Sequence, residues 1–221
     1  MSTLAGIHRQ LRAALGPQAW WPAESSFEVL VGAVLTQNAA WRNVEQALER
    51  LRAEALLDPE AMLAVPRETL AACIRPSGYY NVKSRRLRAA CAAWLELGGE
   101  PGMRARPTAE LRAALLAVHG LGPESVDDIL LYGFGRPVFV IDAYTRRILT
   151  RMGLLDEPVG YAALQAWFHA DLPADPALFN EYHALIVQLG KDFCRPRAPR
   201  CTACPLRRGC AHGRSWGDQR S

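Results

Sequence analysis

Apolar residues recur three to four positions apart along almost the whole chain, and this periodicity limits the fold more than any other feature. Side chains at that spacing share one face of an α-helix, so the pattern marks helices that each bury one stripe. It is clear over residues 4–15, 27–35, 44–56, 83–97, 109–118, 125–132, 143–152, 161–168 and 180–189. Glycine and proline punctuate the gaps, at Gly16-Pro17, Pro22, Pro59, Pro76-Ser77-Gly78, Gly98-Gly99, Gly120, Gly122-Pro123, Gly135, Pro137, Pro158 and Pro173. No segment alternates apolar and polar residues for long enough to read as a strand. The β-branched run at 137–141 (PVFVI) fits either a short strand or a buried connector. The expectation is an all-α protein. With 221 residues, half of them hydrophobic, it is large enough for one big domain or two small ones.

The longest apolar run, residues 29–35, is far short of the roughly 20 residues a membrane helix needs. The N-terminus carries charges at helical spacing and has no apolar signal core. A soluble cytoplasmic protein with no membrane role is expected. The net charge of +4 is unevenly spread. From Lys191 onward eight basic side chains face only Asp192 and Asp218, a net +6 that leaves −2 for the rest. A basic tail of this kind suits a polyanion, although a solvated terminal face has the same composition. Lys83 and Lys191 are the chain's lysines, and every other basic side chain is arginine.

Within that tail Cys194, Cys201, Cys204 and Cys210 form C-x6-C-x2-C-x5-C. Four thiolates in one short Pro/Arg-rich loop can reach a single centre. Disulfides are disfavoured because nothing points to export. A four-cysteine set suits either zinc or an iron–sulfur cluster, and spacing chemistry alone favours zinc. Cys73 and Cys91 lie in helical patterns and read as small buried side chains.

Upstream, the helix at 109–118 is followed by His119-Gly120-Leu121-Gly122 and a second helix opening on Pro123. Pro123 suits a first helical position, where no backbone donor is required. Glycines at Gly120 and Gly122 permit close backbone approach, and the free N–H groups of the second helix point at whatever approaches. The turn is thus suited to an anion such as a phosphate, though such glycines also serve as plain turns. Asp142 precedes the helix at 143–152 and fits an N-cap.

In combination these motifs resemble the endonuclease III, or helix–hairpin–helix, superfamily of DNA glycosylases, over most of the chain from Trp20 to Cys210. The cysteine spacing is similar to that family's [4Fe-4S] loop. The resemblance implies a cluster held by Cys194, Cys201, Cys204 and Cys210, with Arg195, Arg197 and Arg200 presented to DNA phosphates. It places Asp142 as the catalytic carboxylate, where a fixed anion stabilises positive charge on the deoxyribose and orients the attacking water. Bifunctional members carry a lysine just after the hairpin glycines, and the matching position here holds Glu124. A carboxylate cannot form the imine that strand cleavage needs.

The segment Trp20-Trp21-Pro22, with Leu35-Thr36-Gln37-Asn38 followed by Trp41, resembles the 3-methyladenine glycosylase branch. There, aromatic residues line the pocket for the flipped base, and indole faces attract cationic alkylated purines. The alternative for Trp20, Trp21 and Trp41 is core packing. Asn38 matches the polar residue that fills the hole left by a flipped base. Tyr79, in Gly78-Tyr79-Tyr80-Asn81, matches the opposing wedge, or else is ordinary surface. Lys83, Arg85 and Arg86 are expected at phosphates or solvent.

The resemblance therefore implies two helical domains, 27–135 carrying the hairpin and 1–26 with 136–221 carrying the cluster loop. The expected activity is monofunctional, a monomer excising a damaged base from double-stranded DNA. The rivals are a bifunctional glycosylase/lyase for oxidised pyrimidines and a DNA-binding member that has lost its chemistry.

Overall fold

The computed structural model of the protein describes residues 3–18, 20, 23–155 and 159–218. Among these residues the regular elements are helical throughout, and none is a strand. In chain order the α-helices are α1 (Leu4–Leu15), α2 (Ser26–Leu35), α3 (Trp41–Ala53), α4 (Pro59–Ala64), α5 (Arg67–Cys73), α6 (Tyr80–Glu96), α7 (Gly99–Ala105), α8 (Thr108–Leu116), α9 (Pro123–Asp128), α10 (Ala143–Met152), α11 (Tyr161–Asp171), α12 (Pro176–Asp192) and α13 (Ala211–Asp218). No described helix is long and apolar enough to cross a membrane. The chain divides into two compact units, one of Trp21–Arg136 and the other of Met1–Trp20 with Pro137–Ser221.

In the first of these units α2 is the hub. Every residue from Ser26 to Leu35 is buried, as expected of a helix that is apolar on all sides. It packs against α3, α6, α9 and the π-helical turn Ile129–Gly133 that prolongs α9. The one carboxylate on α2, Glu28, is 4% exposed and is paired with Arg52 at 2.8 Å, which offsets the cost of burying its charge.

Three short helices here, α4, α5 and α7, were not visible as periodicity, because breakers sit at their starts. Pro59 is the first residue of α4, behind Asp58, whose Oδ1 accepts the Ala61 N–H at 2.9 Å. The proline starts a helix instead of interrupting one. In α7, Gly102 is indispensable: a Cβ there would lie 2.1 Å from the Leu97 carbonyl oxygen.

The second unit packs α12 against α1 and α10, and α10 against α13. Its centre is aromatic. Phe139 stacks on Phe168 with ring centroids 3.9 Å apart, and Phe179 and Tyr182 meet Phe139 edge-on. The Tyr182 hydroxyl, buried in this cluster, donates to the Leu4 carbonyl at 2.9 Å. Residues 137–141 prove to be the buried connector and not a strand. Side chains take the place of a neighbouring strand: the Phe139 N–H donates to His169 Nε2 at 2.9 Å, and its carbonyl accepts from Gln165 Nε2 at 2.7 Å. Buried backbone groups require such partners.

Candidate functional site

The buried connector delivers Asp142 to the start of α10. Its Oδ1 accepts the Thr145 N–H at 2.7 Å and the Thr145 hydroxyl at 2.8 Å. This is an N-cap, worth about 1 kcal/mol in typical helices. The other carboxylate oxygen faces His183 Nε2 of α12 at 3.5 Å. Burial to 7% exposure pushes the Asp142 carboxyl upward, but His183 and the Thr145 donors outweigh it and hold the group below the usual carboxylate range. Asp142 is therefore a fixed anion in a dry setting, with one oxygen committed to the cap and the other facing His183.

Tyr144 lies in the same turn, its phenol raised by burial and by the Asp142 charge. The ring fills the space a side chain at Gly190 would need, since a Cβ there would be 2.2 Å from Tyr144 Cδ1. This absence of a side chain lets α10 and α12 approach closely enough for Asp142 and His183 to meet. His183 was missed by sequence reasoning. A lone histidine on an apolar helix carries no signal until its partner, 41 positions away in sequence, is known.

In the other unit, α8 and α9 flank the hairpin turn. Gly120 has φ +91°, and a Cβ there would lie 2.3 Å from Arg86 Cγ. Glycine is demanded at that position by backbone and by packing alike. Gly122 differs: its backbone is extended at φ −95°, and a Cβ would meet no atom within 4 Å. Among the described residues nothing requires glycine there. Glu124 lies exposed in the first turn of α9.

Asn38 and Tyr79 also belong to this unit, and both are exposed. They share a rare property: φ is +53° at Asn38 and +47° at Tyr79, in the left-handed region that bulky side chains seldom adopt. Tyr79 leaves 69% of its surface open. Such strain persists only where the surroundings hold it, and it concentrates at functional positions.

Two of the expected phosphate or solvent contacts are corrected. Lys83 is 1% exposed, and Nζ donates to the Leu35 carbonyl at 2.8 Å and the Ser77 carbonyl at 2.7 Å. Burial, and then the Arg86 charge, pushes the amine down to about 8. Arg86 is half-buried and donates to the Gln37 side-chain oxygen. Of the three, Arg85 is the exposed one. Both departures have one cause: the α6 face carrying residues 83 and 86 turns inward, which apolar periodicity alone does not register.

Among the tryptophans, Trp20 is half-buried with the Lys191 ammonium 4.6 Å from its ring centroid. One face of this indole already serves a cation of the protein. Trp41, the first residue of α3, donates through Nε1 to Glu45 Oε1 at 2.7 Å. Trp21 lies outside the described residues. Trp20 and Trp41 belong to different units.

The cysteine loop runs from the end of α12 to the start of α13. Cys201 is buried, and Cys194, Cys204 and Cys210 are half-buried. Cys204 is pushed up to about 11, first by burial and then with contributions from all three other thiols of the motif. The four sulfurs therefore share one neighbourhood. Arg151 of α10 places Nη1 3.4 Å from Cys194 Sγ and donates to the carbonyls of Arg195 and Pro196 at 2.6 and 3.0 Å. The Gly213 N–H lies 3.4 Å from Cys210 Sγ. Among the described residues no three His, Cys, Asp or Glu side chains converge closely enough to hold a single metal ion. Arg195, Arg197 and Arg200 are all exposed on this loop. Cys91 is apart from it, a buried thiol 3.7 Å from Met62 Sδ and pushed up to about 12 by burial.

The sequence pattern of the HhH-GPD superfamily base excision DNA repair proteins matches residues 31–166. A Methanocaldococcus jannaschii protein bearing the name DNA repair glycosylase is 42% identical over 207 residues, covering 92% of this chain and 94% of its own. Endonuclease III of Treponema pallidum is 30% identical over 213 residues, covering 93% and 94%. Among solved structures, the 3-methyladenine DNA glycosylase of H. pylori, bound to 1,N6-ethenoadenine, superposes with a TM-score of 0.77 at 28% identity, covering 86% of this chain and 97% of that one.

Proposed function

Because this chain belongs to the HhH-GPD superfamily of base excision DNA repair proteins, we propose that it excises an alkylated purine such as 3-methyladenine and leaves the strand uncut. It is a DNA repair glycosylase, an enzyme that hydrolyses N-glycosyl bonds. The observation that carries the reading is Asp142, a buried carboxylate kept ionised by Thr145 and His183.

The target is a base in duplex DNA, which must leave the stack before its glycosidic bond is accessible. As the bond between C1′ and the base nitrogen breaks, its electron pair leaves with the base and positive charge grows on the sugar. Asp142 stabilises that charge. A water adds its oxygen to C1′ and gives up a proton to a base such as Asp142. An alkylated purine is already cationic and departs without prior protonation, so a strong acid is not needed. With Glu124 where an amine nucleophile would stand, no imine forms and the reaction stops at the abasic site.

Asn38 and Tyr79 fill and wedge the gap left by the flipped nucleotide, and Gly120 and Gly122 bring the hairpin backbone to a phosphate. Trp20, in the same unit as Asp142, contributes a ring to the base pocket. The likeness to the 3-methyladenine DNA glycosylase of H. pylori supports this substrate class. The enzyme works as a monomer in the cytoplasm, on DNA.

Cys194, Cys201, Cys204 and Cys210 would hold a [4Fe-4S] cluster. The donor set fits: four thiols share one neighbourhood, and Arg151 and the Gly213 N–H approach two of the sulfurs. When bound, the cluster supplies a rigid crosslink and no chemistry at the sugar. Arg147 and Arg151 of α10 anchor the loop through the carbonyls of Cys194, Arg195 and Pro196, which holds Arg195, Arg197 and Arg200 toward phosphates.

The deciding experiment is base release from duplexes carrying alkylated, oxidised or deaminated bases, with and without alkaline scission, and with borohydride trapping. Release of 3-methyladenine, abasic strands cut only by alkali, and no trapped adduct are expected. Faster processing of thymine glycol would overturn the substrate assignment, and a trapped adduct would overturn the monofunctional one.

A further inference from the structure

One face of α6 meets three separate loops of its own unit. Lys83 is 1% exposed, and its ammonium bridges two carbonyls that no helix satisfies. The first belongs to Leu35, which ends α2 three residues before Asn38. The second belongs to Ser77, two residues before Tyr79. One turn further along α6, Arg86 donates to the Gln37 side-chain oxygen. The Gln37 amide in turn donates to the Gly120 carbonyl at 3.0 Å and to Ser125 Oγ at 2.9 Å. The Arg86 stem also occupies the space a side chain at residue 120 would need.

The three loops so joined each contain a residue with positive φ: +53° at Asn38, +47° at Tyr79 and +91° at Gly120. Burying an ammonium is costly unless it is fully bonded. An unbranched apolar side chain would fill the same volume without that cost. What it could not do is tie the Leu35 and Ser77 carbonyls to one point. The carbonyl at the end of α2 also carries the negative end of a helix dipole, which favours a cation there.

We propose that Lys83 and Arg86 are positioning residues that set the spacing of the Asn38 turn, the Tyr79 loop and the Gly120 hairpin. This rests on the reading that Asn38 and Tyr79 enter the duplex at an opened nucleotide. Lys83 fixes the distance between the filling and wedging side chains, and Arg86 fixes the filling turn against the phosphate-binding hairpin through Gln37. Neither residue touches DNA itself. The three loops move as one body, so the strain at Asn38 and Tyr79 is retained instead of relaxing in the free protein.

The test compares affinity for a duplex containing a tetrahydrofuran abasic analogue with affinity for the same duplex intact. Fluorescence of 2-aminopurine placed next to the site reports unstacking. The proteins are the wild type, Lys83→Met, Gln37→Ala, Tyr79→Ala and the Lys83→Met/Tyr79→Ala double variant. Lys83→Met should reduce the preference for the abasic duplex about tenfold, within the range of coupling between neighbouring groups. Intact-duplex affinity should stay within about twofold, because phosphate contacts dominate it. The 2-aminopurine signal should fall in parallel. With Tyr79 already replaced, Lys83→Met should cost nothing more.

Equal losses on both duplexes, or an undiminished loss in the double variant, would show that Lys83 only supports the fold. Should Lys83→Met lose its helical circular dichroism, Gln37→Ala decides in the same way, since Gln37 is half-buried. A selective loss sustains the proposal and its absence overturns it. A wild type with no preference for the abasic duplex would fail earlier, at the assigned function.

Discussion

Asp142 and Glu124 are both carboxylates at the start of a helix, and the structure gives them opposite circumstances. Asp142 caps α10 with one oxygen, faces His183 with the other and is 7% exposed. Glu124 sits in the first turn of α9, open to solvent. Each position favours an anion through the helix dipole. Only the first also removes water and supplies fixed donors, and those conditions turn a helix-start carboxylate into a group that can steady a developing cation. The residue type and its place in the helix are shared; the surroundings are not.

The sharpest way to break this comparison is to neutralise each carboxylate in turn. Asp142→Asn should slow single-turnover base release by roughly two to three orders of magnitude, since losing one aligned group in a dry site costs a few kcal/mol of barrier. Affinity for an abasic analogue should change little. Glu124→Gln should leave release within about twofold, as an exposed charge is screened by solvent. Equal effects in the two variants would remove the distinction drawn here.

A smaller effect is expected at the cysteine loop. Purified protein should contain iron and acid-labile sulfide at about four each per chain, as a cubane cluster requires. Cys201→Ser should weaken DNA binding about tenfold, the order of loss seen when a metal's supporting ligands are disturbed, while the chemical step at Asp142 is retained. Stoichiometric zinc without sulfide would replace the cluster assignment.

The glycines before α9 separate packing from contact. Gly120→Ala should destabilise the protein by about 1–3 kcal/mol, measured by urea unfolding, from positive φ and overpacking against Arg86. Gly122→Ala should change stability by less than about 1 kcal/mol, because its extended backbone suits alanine and no atom stands in the way. Its loss should appear in DNA affinity.

The smallest effect is in acid. The Asp142 carboxyl is held below its ordinary value, so the unfolded chain takes up its proton first as pH falls. The stability it contributes is complete above the unfolded value of about 3.9 and is lost as pH drops through the lower folded value. Wild-type stability should therefore fall more steeply than that of Asp142→Asn below about pH 4. Parallel curves would mean that His183 and Thr145 do not hold the charge.

What the chain declares on its own is whatever depends on neighbours in sequence. The helices follow from a spacing of three to four, the cap at Asp142 from its place before α10, and the grouping of Cys194, Cys201, Cys204 and Cys210 from their separations. The carboxylate of Glu124 in the first turn of α9 is equally local. Tertiary structure alone decided the rest. His183 meets Asp142 across two helices, Lys83 turns inward to carbonyls 48 and 6 positions away, and residues 137–141 bond to side chains of α11 instead of to a strand. Burial, charge pairing and the satisfaction of isolated carbonyls depend on which surfaces meet, and a periodicity that names the apolar face of each helix is silent about what that face will find.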